Sequence, residues 1–144
     1  MWSGQLALAT AAAFAGAAVV VNVAEQPARL LLDDRSMLVE WARSYKGAAP
    51  MQAGLAMASA ILGFWTFWIT RDWMWLIGAA LILANWPYTF LVMMPVNGAL
   101  HGQLEHAPSS QIRRLVERWG KLHMVRSALG CLSVIAYLWA LLAA

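Results

Sequence analysis

Four apolar runs, at about Trp2–Ala24, Ala49–Ile69, Trp73–Met94 and Trp119–Leu142, occupy most of this 144-residue chain. Each approaches or exceeds the roughly 20 residues that an α-helix needs to cross the hydrocarbon core of a bilayer. Apolar residues make up 62% and charged residues 12% of the sequence, against roughly 45–50% and about 25% in soluble domains. A soluble sphere of this size keeps too much surface in water to hide that excess. The fold class is therefore all-α: an integral membrane four-helix bundle, one domain over residues 1–144. The first run lacks a positive leading region and is too long for the apolar part of a secretion signal, so it is read as a span.

The connections are unequal. Thr70, Arg71 and Asp72 form a tight turn between spans two and three, whereas about Glu25 to Ala48 and Pro95 to Arg118 form two long connections on one membrane side. Arg29, Arg35, Arg43, Lys46, Arg113, Arg114 and Arg118 lie in those connections, Lys121 and Arg126 lie just beyond, and Arg71 alone lies opposite. The positive-inside rule then puts the long connections in the cytoplasm and both termini outside, which suits a bacterial inner membrane. Trp2, Trp65, Trp68, Trp73, Trp75 and Trp139 fall at the expected outer interface and Trp41 and Trp119 at the inner one, the headgroup layers that indoles favour.

Each long connection carries helical spacing. Met37, Leu38, Trp41 and Tyr45, and then Ile112, Leu115 and Trp119, suggest short interfacial helices, with Ser109 and Ser110 as caps for the second. Small residues at four-residue intervals, such as Ala7, Ala11 and Ala15 or Ser59 and Gly63, allow close helix packing in lipid and equally a homodimer. The one cysteine, Cys131, has no intrachain partner and is read as packing. The net charge of +3 is no nucleic-acid footprint; membrane lipid is the expected surrounding.

Polar residues converge on one level. Asn22, Glu25, Gln26 and Arg29 share a helical face near the cytoplasmic end of span one, Gln52 opens span two, Asn85, Tyr88 and Thr89 lie in the inner half of span three, and His123, Arg126 and Ser127 begin span four. Polar groups at membrane depth face a bundle interior or cavity and mark function, so a pocket is expected in the cytoplasmic half. Pro87 frees the carbonyl of Leu83, and Pro27 is expected to kink or break the first helix as it leaves the membrane. Arg126 is expected to pair with Glu25. His123 reads either as a hydrogen-bonded structural histidine or as a site residue, and Asn22 and Asn85 either as interhelical ties or as ligand contacts. His101 and His106 read as surface residues. No phosphate loop, dinucleotide fingerprint, paired-cysteine zinc site or Ser-His-Asp set is present.

Asn22-Val-Ala-Glu25-Gln26-Pro27-Ala-Arg29-Leu30 ends the first span, Asn85-Trp86-Pro87-Tyr88-Thr89 sits in the third, Pro95-Val-Asn97 follows, and Trp119-Gly-Lys-Leu-His123-Met-Val-Arg126 opens the fourth. This order resembles the anthrone oxygenase-like family of small four-span membrane proteins over nearly the whole chain. The resemblance implies an oxygenase that converts an anthrone-like, flat aromatic substrate to a quinone with O2. It carries over Asn22, Glu25, Pro27, Asn97, Trp119, His123 and Arg126 as candidate site positions. In that reading His123, Arg126 and Glu25 are catalytic, and Asn22, Trp86, Tyr88, Asn97 and Trp119 contact substrate. Neutral His123 removes an acidic C–H proton, Arg126 stabilises the enolate, and no metal is required. Two other readings stay open: a haem-binding redox protein with His123 as axial ligand, and a non-enzymatic accessory subunit whose polar cluster locks the bundle.

Overall fold

The computed structural model describes residues 1–144 as four helices long and apolar enough to cross a membrane: α1 (Trp2–Arg29), α2 (Asp34–Thr70), α3 (Trp73–Gln103) and α4 (Gln111–Ala143). The chain is an integral membrane four-helix bundle. Connections this short cannot carry the chain back along a helix, so neighbours run antiparallel. Contacts agree: Thr66 Oγ1 donates to Ser3 Oγ at 2.9 Å and Ser59 Oγ to the Ala7 carbonyl at 2.9 Å, pairing α1 with α2 in opposite directions. Each helix packs on its chain neighbours, and α4 closes the ring onto α1.

The helical stretches foreseen in the long connections are present, but as extensions of the spans. α2 is 37 residues long, about 55 Å at 1.5 Å per residue, and runs through Pro50 without a break. α4 likewise begins at Gln111. Continuity keeps Met37, Leu38, Trp41, Ile112, Val116 and Trp119 on the buried side of helices already committed to the bundle, rather than on a membrane surface. Asp33 caps α2, its carboxylate accepting from Ser36 N–H at 3.0 Å; hydrogen bonds from Ser36 hold that carboxyl below its ordinary value. The expected serine cap on α4 is not formed: Ser110 makes no capping bond, and Ser109 Oγ donates instead to Gln103 Oε1 at 3.0 Å.

Proline shapes two helices without ending them. Pro27 and Pro95 each follow a widened turn of π geometry, over Val21–Glu25 in α1 and Thr89–Met93 in α3. A proline ring clashes with the carbonyl four residues back, here Val23 and Leu91, which lie at the centres of those two turns. Widening the turn makes room, so α1 continues to Arg29 without the break that was one of the two outcomes expected of Pro27. Both turns also carry polar residues of the site, Asn22 and Thr89.

Two apolar clusters bracket the polar level. One gathers Ala7, Ala11, Phe14, Ala56, Ala60, Trp75, Ile82 and Tyr137 toward the Arg71–Asp72 turn. The other gathers Met37, Leu38, Trp41, Met93, Leu100, Ile112, Val116 and Trp119 toward the basic end. On α2, α3 and α4, the residues Gln52, Asn85, Thr89, His123, Arg126 and Ser127 come between the stretches that feed the two. At the turn end Trp2, Trp65, Trp68, Trp73 and Trp139 are exposed, an aromatic girdle at an interface.

Close approach at the turn end depends on glycine. A Cβ on Gly78 would lie 2.5 Å from the Tyr137 ring, whereas one on Gly16 would meet nothing within 4 Å. Gly78→Ala is expected to cost about 1–3 kcal/mol through overpacking and to lower the melting temperature in detergent, while Gly16→Ala leaves it unchanged or higher.

Candidate functional site

His123 lies on the α4 face that meets α1 and is 3% exposed. Asn22 holds it. The Asn22 amide nitrogen donates to the Gly120 carbonyl at 3.0 Å, which fixes the amide orientation because a carbonyl only accepts. Asn22 Oδ1 then accepts from Ser127 Oγ at 2.7 Å and faces His123 Nδ1 at 2.9 Å. An amide oxygen cannot donate, so Nδ1 carries a proton, and in the neutral ring Nε2 keeps its lone pair. Nε2 makes no hydrogen bond. Trp119 stacks on the imidazole at 4.9 Å between centroids, and its indole N–H donates to Asn97 Oδ1 at 2.9 Å.

Arg126 stands one turn further along α4 and is 8% exposed. The expected pairing with Glu25 is not made. Glu25 accepts instead from Arg29 Nη2 at 3.1 Å and from Ser44 Oγ at 2.8 Å. The reason is local: Arg29 is four residues from Glu25 on one helix, the spacing at which side chains meet. Glu40 completes that network, 2.7 Å from Arg29 Nε in an ionic contact without hydrogen-bond alignment. Arg126 has only neutral partners. Its Nη1 donates to Thr89 Oγ1 at 3.1 Å and its Nη2 to Gln52 Oε1 at 3.1 Å. Phe14 lies under the guanidinium at 5.7 Å, and Nε has no partner.

Two cavities meet at Arg126. A chamber of about 20 Å³ is lined by Arg29, Trp41, Gln52, Asn97, Trp119 and His123 among others, room for about one water molecule. A larger cavity of about 290 Å³ lies between α2 and α3, walled by Ala53, Ala56, Asn85, Trp86 and Phe90. Tyr45, Ala49 and Arg126 line both. The exposed Pro50, Phe90 and Met94 belong to the larger cavity, which puts its rim on the lipid-facing flank. Asn85 Oδ1, a buried acceptor in this wall, is without a partner.

Of the residues singled out from sequence, His123, Arg126, Asn97 and Trp119 thus line the small chamber, and Trp86 the larger cavity. Asn22 acts through His123. Glu25 lies outside both cavities, in a groove at the basic end. Tyr88 also lies outside, its hydroxyl donating to the Leu122 carbonyl at 2.7 Å and tying α3 to α4. Pro27 sits on the exposed side of α1. Tyr45 is the residue that sequence reasoning placed on the membrane surface and that the structure puts at the junction; continuity of α2 through Pro50 is what carries it there. The chamber that His123 lines, about 20 Å³, is far smaller than a haem, so axial ligation by His123 does not fit this arrangement.

The arrangement combines an imidazole whose Nε2 makes no hydrogen bond, a buried cation that lines two cavities, and an apolar cavity of the size ligand sites begin at. ¹⁵N NMR of His123 in micelles is expected to report the Nδ1–H tautomer. Asn22→Ala should redistribute the tautomers and destabilise the protein by roughly 1–3 kcal/mol; an Nε2–H tautomer in the wild type would remove the base from the site.

The family described as anthrone oxygenase matches residues 41–136. Anthrone oxygenase tpcL of Aspergillus fumigatus is 32% identical over 117 residues, covering 76% of this chain and 68% of that protein. An anthrone oxygenase of Claviceps purpurea is 31% identical over 140 residues, covering 86% and 79% respectively. Anthrone oxygenase ptaC of Pestalotiopsis fici is 31% identical over 103 residues, covering 61% and 72%. No solved structure matches.

Proposed function

The chain belongs to the anthrone oxygenase family, and from that premise we propose that it oxidises a flat, phenolic ketone of the anthrone type with dioxygen, in the cavity between α2 and α3. The observation that carries this reading is Arg126, a guanidinium buried without a carboxylate partner at the wall of an apolar cavity. Burying a charge without a counter-charge is costly, and an anion formed beside it recovers that cost. An enolate is such an anion.

Arg126 and Asn85 both line this cavity, and each carries one buried polar atom without a partner, Nε and Oδ1. On this reading a phenolic or enolic oxygen of the substrate sits beside the Arg126 guanidinium. Trp86 and Phe90, 5.9 Å apart between centroids, give such a ring system aromatic surface. The acidic CH2 of an anthrone lies across the central ring from the carbonyl, and on this reading it is turned toward the junction with the His123 chamber. Nε2 takes that proton, and the charge is delocalised onto the oxygen that the guanidinium holds. The electron-rich carbanion then reacts with dioxygen. On this reading the long connections face the cytoplasm, as the placement of basic residues favours, and the hydrophobic substrate enters from the bilayer.

The test is oxygen consumption and quinone formation from a dihydroxyanthrone by the detergent-purified full chain. His123→Gln is expected to lower turnover by about 10²–10⁴-fold, and Arg126→Gln by about 10²–10³-fold, with both variants still folded. Turnover that survives both changes, or a wild type that leaves the anthrone untouched, would overturn the reading.

A further inference from the structure

Tyr45 is one of three residues shared by the two cavities, and it has no part in deprotonation as described. Its hydroxyl is oriented by Asn97. Trp119 Nε1 donates to Asn97 Oδ1 at 2.9 Å, and an indole N–H cannot accept, so the other end of the amide is its NH2 group. That group donates to Tyr45 Oη at 3.1 Å. The phenol oxygen is thereby engaged as an acceptor, and its own proton is left without an acceptor on the protein. The ring is held too, stacked on Trp41 at 5.3 Å and set against His101 at 5.6 Å. Asn22 and Asn97 therefore do opposite things with the same side chain. Asn22 accepts, which frees a lone pair on His123; Asn97 donates, which frees a proton on Tyr45.

We propose that Tyr45 is the proton donor of the site, protonating the peroxide formed when the carbanion captures dioxygen. This rests on the oxygenase reading above. His123 Nε2 removes the first proton from the CH2 carbon, and the carbanion bonds to dioxygen, giving a carbon-bound peroxide anion. The Tyr45 hydroxyl protonates that anion, and the resulting phenolate recovers a proton from the His123 imidazolium across the small chamber that both line. His123, neutral again, removes the second C–H proton as the O–O bond breaks and the C=O bond forms. The departing hydroxide takes that proton back and leaves as water. The carbon loses four electrons in going from CH2 to C=O, and dioxygen gains four in becoming the ketone oxygen and water. No other oxidant or reductant enters.

Tyr45→Phe keeps the stacked ring and removes the proton. With a dihydroxyanthrone as substrate and the full chain in micelles, kcat is expected to fall on the order of tenfold to a hundredfold while KM stays within about twofold. Rapid-quench mass spectrometry should show a species heavier than substrate by one dioxygen, which a purely structural role for Tyr45 would not produce. A ring-fluorinated tyrosine at position 45, which lowers the phenol pKa, should move the alkaline limb of the kcat profile downward. That measurement serves if the phenylalanine variant does not fold. Wild-type turnover matched by Tyr45→Phe, without the adduct, or an alkaline limb unmoved by fluorination, overturns the role of Tyr45 alone. Absence of turnover in the wild type overturns the oxygenase reading and this role with it.

Discussion

A positive charge held inside the bundle without a carboxylate is the interaction on which the rest of the site depends. Arg126 lies 17 residues before the end of α4 at Ala143, about 26 Å along the helix axis and within the thickness of a hydrocarbon core measured from the aromatic girdle. In such a medium a guanidinium is costly, and neutral dipoles such as Gln52 and Thr89 offset only part of the cost. Arg29 at the basic end shows the other solution, with Glu25 and Glu40 against one guanidinium. The two arginines are one structural level apart and oppositely served. Arg29 is neutralised by carboxylates, whereas Arg126 has none and lines both cavities.

Backbone irregularity is what brings neutral partners to the right place. Asn22 and Thr89 both sit in widened turns, and each widened turn precedes a proline that could not otherwise follow a regular helix. π-type turns are frequent at functional sites because they re-aim side chains without ending the helix. Here one of them carries the amide that fixes the proton on His123 Nδ1 and the other supplies a partner to Arg126. The prolines thus act on the site at a distance, through the room that their rings require.

The architecture was legible because hydropathy and span length are dominated by the solvent, and a bilayer leaves few alternatives. The polar level was legible for the same reason: Asn22, Gln52, Asn85, Thr89, His123 and Arg126 are expensive wherever they are, so their shared depth carries information. Pairing within that level was not. Glu25 sits within reach of two arginines on a depth argument, and the choice of Arg29 is set by rotation about α1, which depth does not encode. The i, i+4 relation of Glu25 and Arg29 was the available signal, and it pointed away from Arg126. Tyr45 was missed for a related cause. A periodic stretch with exposed basic residues reads as an amphipathic surface helix, and only the unbroken passage through Pro50 turns its aromatic face into the bundle.

The two apolar clusters decide what kind of chemistry the polar level can support. They close the bundle toward the turn end and toward the basic end, with Met37, Leu38, Trp41, Leu100, Ile112 and Val116 fully buried in the latter. The larger cavity instead reaches the lipid-facing flank between α2 and α3. A carbanion in water is quenched by protonation before it meets a dilute gas; one beside a guanidinium in a water-poor cavity keeps its charge while its electrons remain available. Dioxygen dissolves better in hydrocarbon than in water, so an opening on the lipid side admits both proposed reactants from one phase. The same seal that makes Arg126 expensive to bury makes its field strong, because charge interactions grow as the dielectric falls. Stability lost in holding the cation dry would thus be the source of its grip on the proposed oxyanion, and relieving it with a carboxylate partner would remove both.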